Sequence, residues 1–209
     1  AVCGSNLHQL GNVTHLYLND HMHHFWPYFT DEVGGRKWWF GFEPTGGGAP
    51  RPLDKLKGQL GDYIAVAGDE FNCPAFQHNH PKFFKKFQRN AATVGYNWKL
   101  GGWANVMSPT TPEQSMRYAG RDASVFVFAD AIHFDSPSKF NEGHYIAYQS
   151  STATLSGYAH FRHRKQAQLL YLDGHVDNQT LQGSTHKDIA GGKAGNLAGP
   201  DGGDKIYGY

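Results

Sequence analysis

The 209-residue chain has the length of one domain, enough for a sizeable core. Its 19 Lys and Arg against 18 Asp and Glu leave a formal charge of +1, which excludes the basic excess of a dedicated nucleic-acid binder. No apolar run approaches the ~18 residues of a transmembrane helix, and no basic, apolar, small-residue leader opens the chain. Twenty-six glycines, 14% aromatic residues and only 18% charged residues fit an extracellular, β-rich protein. Thirteen histidines are the anomaly, and the two cysteines, Cys3 and Cys73, allow one intramolecular bridge.

In chain order, residues 1–20 carry the long helical pattern: Leu7, Leu10, Thr14, Tyr17 and Leu18 share a face, with Asn6, Gln9, Asn12 and Asn19 elsewhere. The helix stops near Asn19 and Asp20, since Pro27 follows in a stretch that cannot continue it. Residues 41–52 read as a Gly/Pro loop, and Leu53, Leu56 and Leu60 as a short amphipathic helix ending at Gly61. From Thr93 onward, short apolar runs broken by Gly, Pro and Asn predict a main sheet over 93–180. Its clearest strands cover 94–100, 124–129, 145–149 and 168–172, and Asp173-Gly174 predicts a two-residue hairpin turn with both residues at positive φ. Residues 190–209 form a Gly-rich tail. The class is α+β: one domain in which an N-terminal helix packs on an antiparallel sheet with long loops.

Several stretches match one family in order. They are Cys3, Asn6-Leu7, Gln9-Leu10, Tyr17 and Asn19-Asp20 in the helix, then Phe71-Asn72-Cys73-Pro74. Gly95-Tyr96-Asn97 and Phe128-Ala129-Asp130 follow, and last comes Arg162-His163, nine residues, then Asp173-Gly174-His175-Val176. Together they resemble the pseudopilin-like and type IV pilin-like proteins that carry an H-X9-DG signature near the C-terminus. The departure is large: the hydrophobic, membrane-embedded half of the pilin helix does not precede Ala1, so the chain as given inserts in no membrane. The resemblance implies an exported bacterial protein, extracellular or on the cell surface, that is not an enzyme and assembles with copies of itself into a filament. It also implies a Cys3–Cys73 disulfide, because both cysteines lie in matching elements of an exported chain. The long loop so closed is worth about 4 kcal/mol in the chain-entropy model.

Each candidate site has a plain structural reading beside its functional one. His163 and Asp173 form a base and an orienting carboxylate on a catalytic reading. On the structural reading, Asp173 and Gly174 make the turn while His163 hydrogen-bonds across to it. His21, His23 and His24, with His78 and His80 as a second pair, are metal candidates without a zinc-type ligand pattern. Asp201 and Asp204 in a Gly-rich loop are calcium candidates. Trp38, Trp39, Phe40 and Phe42 are either core or, if exposed, a stacking platform for sugar rings. The sequons at Asn12 and Asn178 carry little weight, and Tyr207 and Tyr209 offer contact area for assembly. A carbohydrate-binding module and a metal-dependent hydrolase therefore stand as alternatives to a structural subunit.

Overall fold

A computed structural model describes residues 2–67, 71–101, 117, 123–136, 139–146, 157–181, 187–189 and 192–195. The N-terminal periodicity forms helix α1 (Val2–Asp20), which buries Leu7, Leu10, Thr14, Tyr17 and Leu18 on the expected face. Asn6 is buried too, contrary to its expected polar face, because its side-chain amide donates to the Asn72 carbonyl at 3.1 Å. The helix closes through the His23 N–H to the Leu18 carbonyl, with Met22 and His23 at positive φ turning the chain away.

An antiparallel three-stranded sheet follows: β1 (Phe29–Glu32), β2 (Gly35–Trp38) and β3 (Gly41–Pro44). Residues 41–44, expected as the start of a loop, are therefore strand. The alternation that marks a strand is masked by charge here, because Arg36 stands opposite Asp31 on one neighbour and Glu43 on the other. The Trp39-Phe40 turn between β2 and β3 points into the core, where both side chains are fully buried. The predicted helix over 53–60 is also corrected. Asp54 caps only a 3-10 turn at Lys55–Lys57, and helix α2 (Gly61–Ala67) begins where the expected helix ends. Leu53 and Leu60 are buried, whereas Leu56 is exposed.

The main sheet is built on β5 (Phe126–Ser136), which extends well past the expected strand end at 129. Its first half pairs with β4 (Val94–Asn97) on one side and β9 (Gln166–Tyr171) on the other. Its second half pairs instead with β6 (Lys139–Glu142) and β8 (Gly157–Phe161). The partners change on both sides at Asp130 and Ala131, so the sheet forks there. β7 (Tyr145–Ile146) joins β4 in parallel, which makes the sheet mixed, and β10 (Val176–Thr180) forms one edge. The other edge is β12 (Gly192–Gly195) with β11 (Lys187–Ile189), so the Gly-rich tail contributes a strand that pairs with β8. The main core lies where α1 and the small sheet meet the first half of β5, around Trp26, Trp39, Tyr96 and Phe128.

The β9–β10 hairpin departs from its expected form. Gly174 N–H bonds the Tyr171 carbonyl and Tyr171 N–H bonds the His175 carbonyl, each at 2.9 Å, around a three-residue loop. Gly174 is at φ 89°, and Asp173 is not among the residues with positive φ. One left-handed residue closing the turn is the three-residue solution, not the two-residue one.

Candidate functional site

Arg162 sits at the fork in the main sheet, where its guanidinium meets backbone carbonyls on both sides. Its guanidinium donates to the Ala131 carbonyl at 3.2 Å and to the Thr93 carbonyl at 2.7 Å, and pairs with Asp130 Oδ1. Asp130 Oδ2 accepts the Gln168 N–H at 2.8 Å and lies 3.2 Å from His163 Nε2. Asp130 and Arg162 are both buried. Desolvation pushes the Asp130 pKa up, but the Arg162 charge, His163 and the Gln168 N–H outweigh it and hold the carboxyl below the usual carboxylate range.

His163 bridges this ion pair to the helix. The same Nε2 lies 3.3 Å from Cys73 Sγ, and Cys73 is disulfide-bonded to Cys3 in the first turn of α1 with a Cα separation of 5.0 Å. The expected disulfide is therefore present. The expected contact of the His163 side chain with the Asp173 turn is not: it reaches Asp130 and the cysteines, while only its backbone pairs with Gln166 at the start of β9. Asp173 instead accepts the N–H of His175, two residues on, and lies against that imidazole. His163 and Asp173 thus serve separate local structures rather than one dyad.

Among the described residues, Cys3, Cys73 and His163 are the one group of three donors that converges, all within 4.8 Å of one another. His21 stacks on Tyr17 and lies 2.9 Å from its carbonyl, while His24 forms a bridge with Arg117. His23 holds a left-handed turn position, so the three do not gather as ligands. His78 pairs with the buried Glu142 at 3.2 Å, and His80 Nδ1 accepts the Lys82 N–H. Trp38 and Trp39 are 6% and 0% exposed, so neither presents a face to a sugar. Asp201, Asp204, Tyr207 and Tyr209 lie outside the described residues.

A second polar cluster, which the sequence reading missed, lies between the small sheet and the second half of β5. Trp38 Nε1 donates to Glu43 Oε2 at 2.8 Å, and Arg51 pairs with the same carboxylate. Lys86 lies over the Trp38 and Phe87 rings, and burial brings its pKa down to about 8. Burial, with that ammonium nearby, pushes His133 down to about 4 and His144 well below the ordinary imidazole value. Both rings are neutral at pH 7. A cleft of about 290 Å³ opens at the Glu43–Arg51 pair, lined also by Asp31, Arg36 and Thr45. Its cations are already paired, Arg36 with Asp31 and Arg51 with Glu43. The signal for this cluster is the alternation of charge and aromatics over 36–43.

No family model, no curated protein and no solved structure matches this chain. What the site can do follows from its own geometry. Asp130 is fully buried and accepts from Arg162 on one oxygen and from the Gln168 N–H on the other, with His163 beside it. The arrangement is a clasp joining α1, the segment at Cys73 and the fork of the sheet.

Proposed function

We propose that this chain is an exported, non-catalytic structural subunit of pseudopilin-like type that assembles with copies of itself. The observation that carries the reading is the outward face of α1. Val2, Ser5, His8, Asn12, Leu16 and Asn19 are exposed along it, and Asp20, at its very end, is the only Asp, Glu, Lys or Arg in the helix. A helix face that remains in water carries charged or polar residues, and this one carries no charge before Asp20 while exposing two aliphatic side chains. Val2 and Leu16 are 59% and 49% exposed, which fits a face that packs on a neighbouring copy. The clasp supports the reading as well, since its groups are committed to holding α1 on the sheet. Burial of Trp38 and Trp39 removes the motivation for the carbohydrate-binding alternative.

A photo-crosslinking residue placed at Asn12 tests this on the concentrated, full-length protein. Crosslinked dimers and a ladder of higher species are expected at Asn12, and none from the same probe at Val33, which is fully exposed on the β1–β2 turn. A strictly monomeric product at Asn12, with no filaments in electron micrographs, overturns the proposal. A tail truncation meant to test assembly must begin at residue 196, because β12 belongs to the sheet.

A further inference from the structure

We infer that the clasp is also a redox-gated metal site: once the disulfide is reduced, Cys3, Cys73 and His163 bind a zinc-type divalent cation. Two thiolates and an imidazole are the donor set that borderline-soft, tetrahedral ions select. Tetrahedral zinc holds sulfur at ~2.3 Å and nitrogen at ~2.0–2.1 Å, which sets neighbouring donors on the order of 3.6 Å apart. His163 Nε2 is already 3.3 Å from Cys73 Sγ, and a Cα separation of 5.0 Å leaves the two sulfurs room to part around an ion. Breaking the S–S bond does not set Cys3 adrift, because Leu7, Leu10, Val13, Tyr17 and Leu18 keep α1 seated on the core.

The surroundings tolerate the exchange. When Nε2 turns to the ion, Asp130 keeps Arg162 on Oδ1 and the Gln168 N–H on Oδ2, so no buried carboxylate oxygen is orphaned. The His163 side chain is 22% exposed, so the ion, and a water as fourth ligand, enter from its side. The chemistry balances as two steps. A dithiol reductant gives two electrons and two protons to the Cys3–Cys73 bond and leaves as its own disulfide. The cation then displaces the two thiol protons, with His163 neutral. Oxidised, the site is a staple; reduced, it holds the same two points through a metal.

The experiment uses cobalt(II) as a spectroscopic stand-in for zinc. The full-length protein is reduced with dithiothreitol, freed of reductant under anaerobic conditions and titrated. One equivalent should give thiolate-to-cobalt charge transfer and intense tetrahedral d–d bands, and the oxidised chain should give neither. His163→Ala should weaken binding by about tenfold or more, since even supporting groups of a metal site are worth that much. His163→Asn serves if the alanine variant fails to fold, because its carboxamide still reaches toward Asp130 while the ligand is lost. Circular dichroism of each reduced protein reports that the fold persists. Binding that is equally tight without His163, a reduced chain that unfolds, or the absence of charge-transfer absorption each overturns the inference.

Discussion

At the residue scale, the Asp130–Arg162 pair is buried and also holds the Thr93 and Ala131 carbonyls and the Gln168 N–H. Removing one partner leaves the other buried with an unmet charge, so Asp130→Asn should cost about 3–5 kcal/mol in a denaturant titration. The pH dependence has a defined sign. Asp130 is held below the usual carboxylate range, so its contribution is full above the ordinary carboxylate pKa and is lost as pH falls through the lower, folded value. His133 acts over a different window. Its folded pKa of about 4 lies under the ordinary 6.5, so the unfolded chain binds a proton first and stability declines from pH 6.5 down to about 4. His133→Gln should flatten the pH profile of the unfolding midpoint in that window, and an unchanged slope would assign the acid sensitivity elsewhere.

At the element scale, two turns at opposite ends of β9 make opposite predictions. The β8–β9 connection turns tightly at Arg164 and Lys165, which sit at φ 52° and 67° between the paired residues His163 and Gln166. Side chains resist that region by roughly 1–2 kcal/mol per residue, and a two-residue hairpin turn favours Asn-Gly there. Lys165→Gly should therefore raise stability by about 1 kcal/mol, read from thermal or chemical unfolding. At the other end Gly174 already fits, at φ 89°. Gly174→Val should lose about 1–3 kcal/mol, through backbone strain rather than crowding, since the nearest atom to an added Cβ is His15 Nε2 at 3.6 Å.

These elements also show what was legible beforehand. The long helix, the β-type runs after Thr93 and the hairpin at Asp173-Gly174 depend on local periodicity and turn chemistry, which a sequence displays directly. The small sheet did not show because Arg36 and Lys37 interrupt its apolar alternation, and those charges are answered only across strands, by Asp31, Glu32 and Glu43. Of the clasp, the Cys3–Cys73 bond was expected, but not the approach of His163 and Asp130 to it. Asp130 stands 32 residues from Arg162 in the chain, and a fork in a sheet has no periodic signature. Three-residue and two-residue readings of the same Asp-Gly pair differ by one backbone hydrogen bond, below what residue types decide.

For the whole molecule, the disulfide closes a separation of 70 residues. Replacing both cysteines by alanine should lower stability by about 4 kcal/mol on the chain-entropy account, measured against the oxidised protein in denaturant. The proposed assembly is tested at this scale too. Leu16→Glu places a charge on the exposed face of α1 near its C-terminal end and should abolish higher species in sedimentation while leaving the unfolding midpoint nearly unchanged, since Leu16 is exposed.

Because the bridge ties the first turn of α1 to Cys73, it also sets the route that mechanical tension takes. A pull applied across the two ends passes from residue 3 directly to residue 73, and everything between, including α1 and the three-stranded sheet, hangs in a closed loop that carries no load. In single-molecule stretching the oxidised chain should therefore yield about 240 Å less contour than the reduced one, at ~3.4 Å for each sheltered residue. Under such tension the oxidised chain would extend only from its main sheet onward, with its helix and small sheet spared from the force.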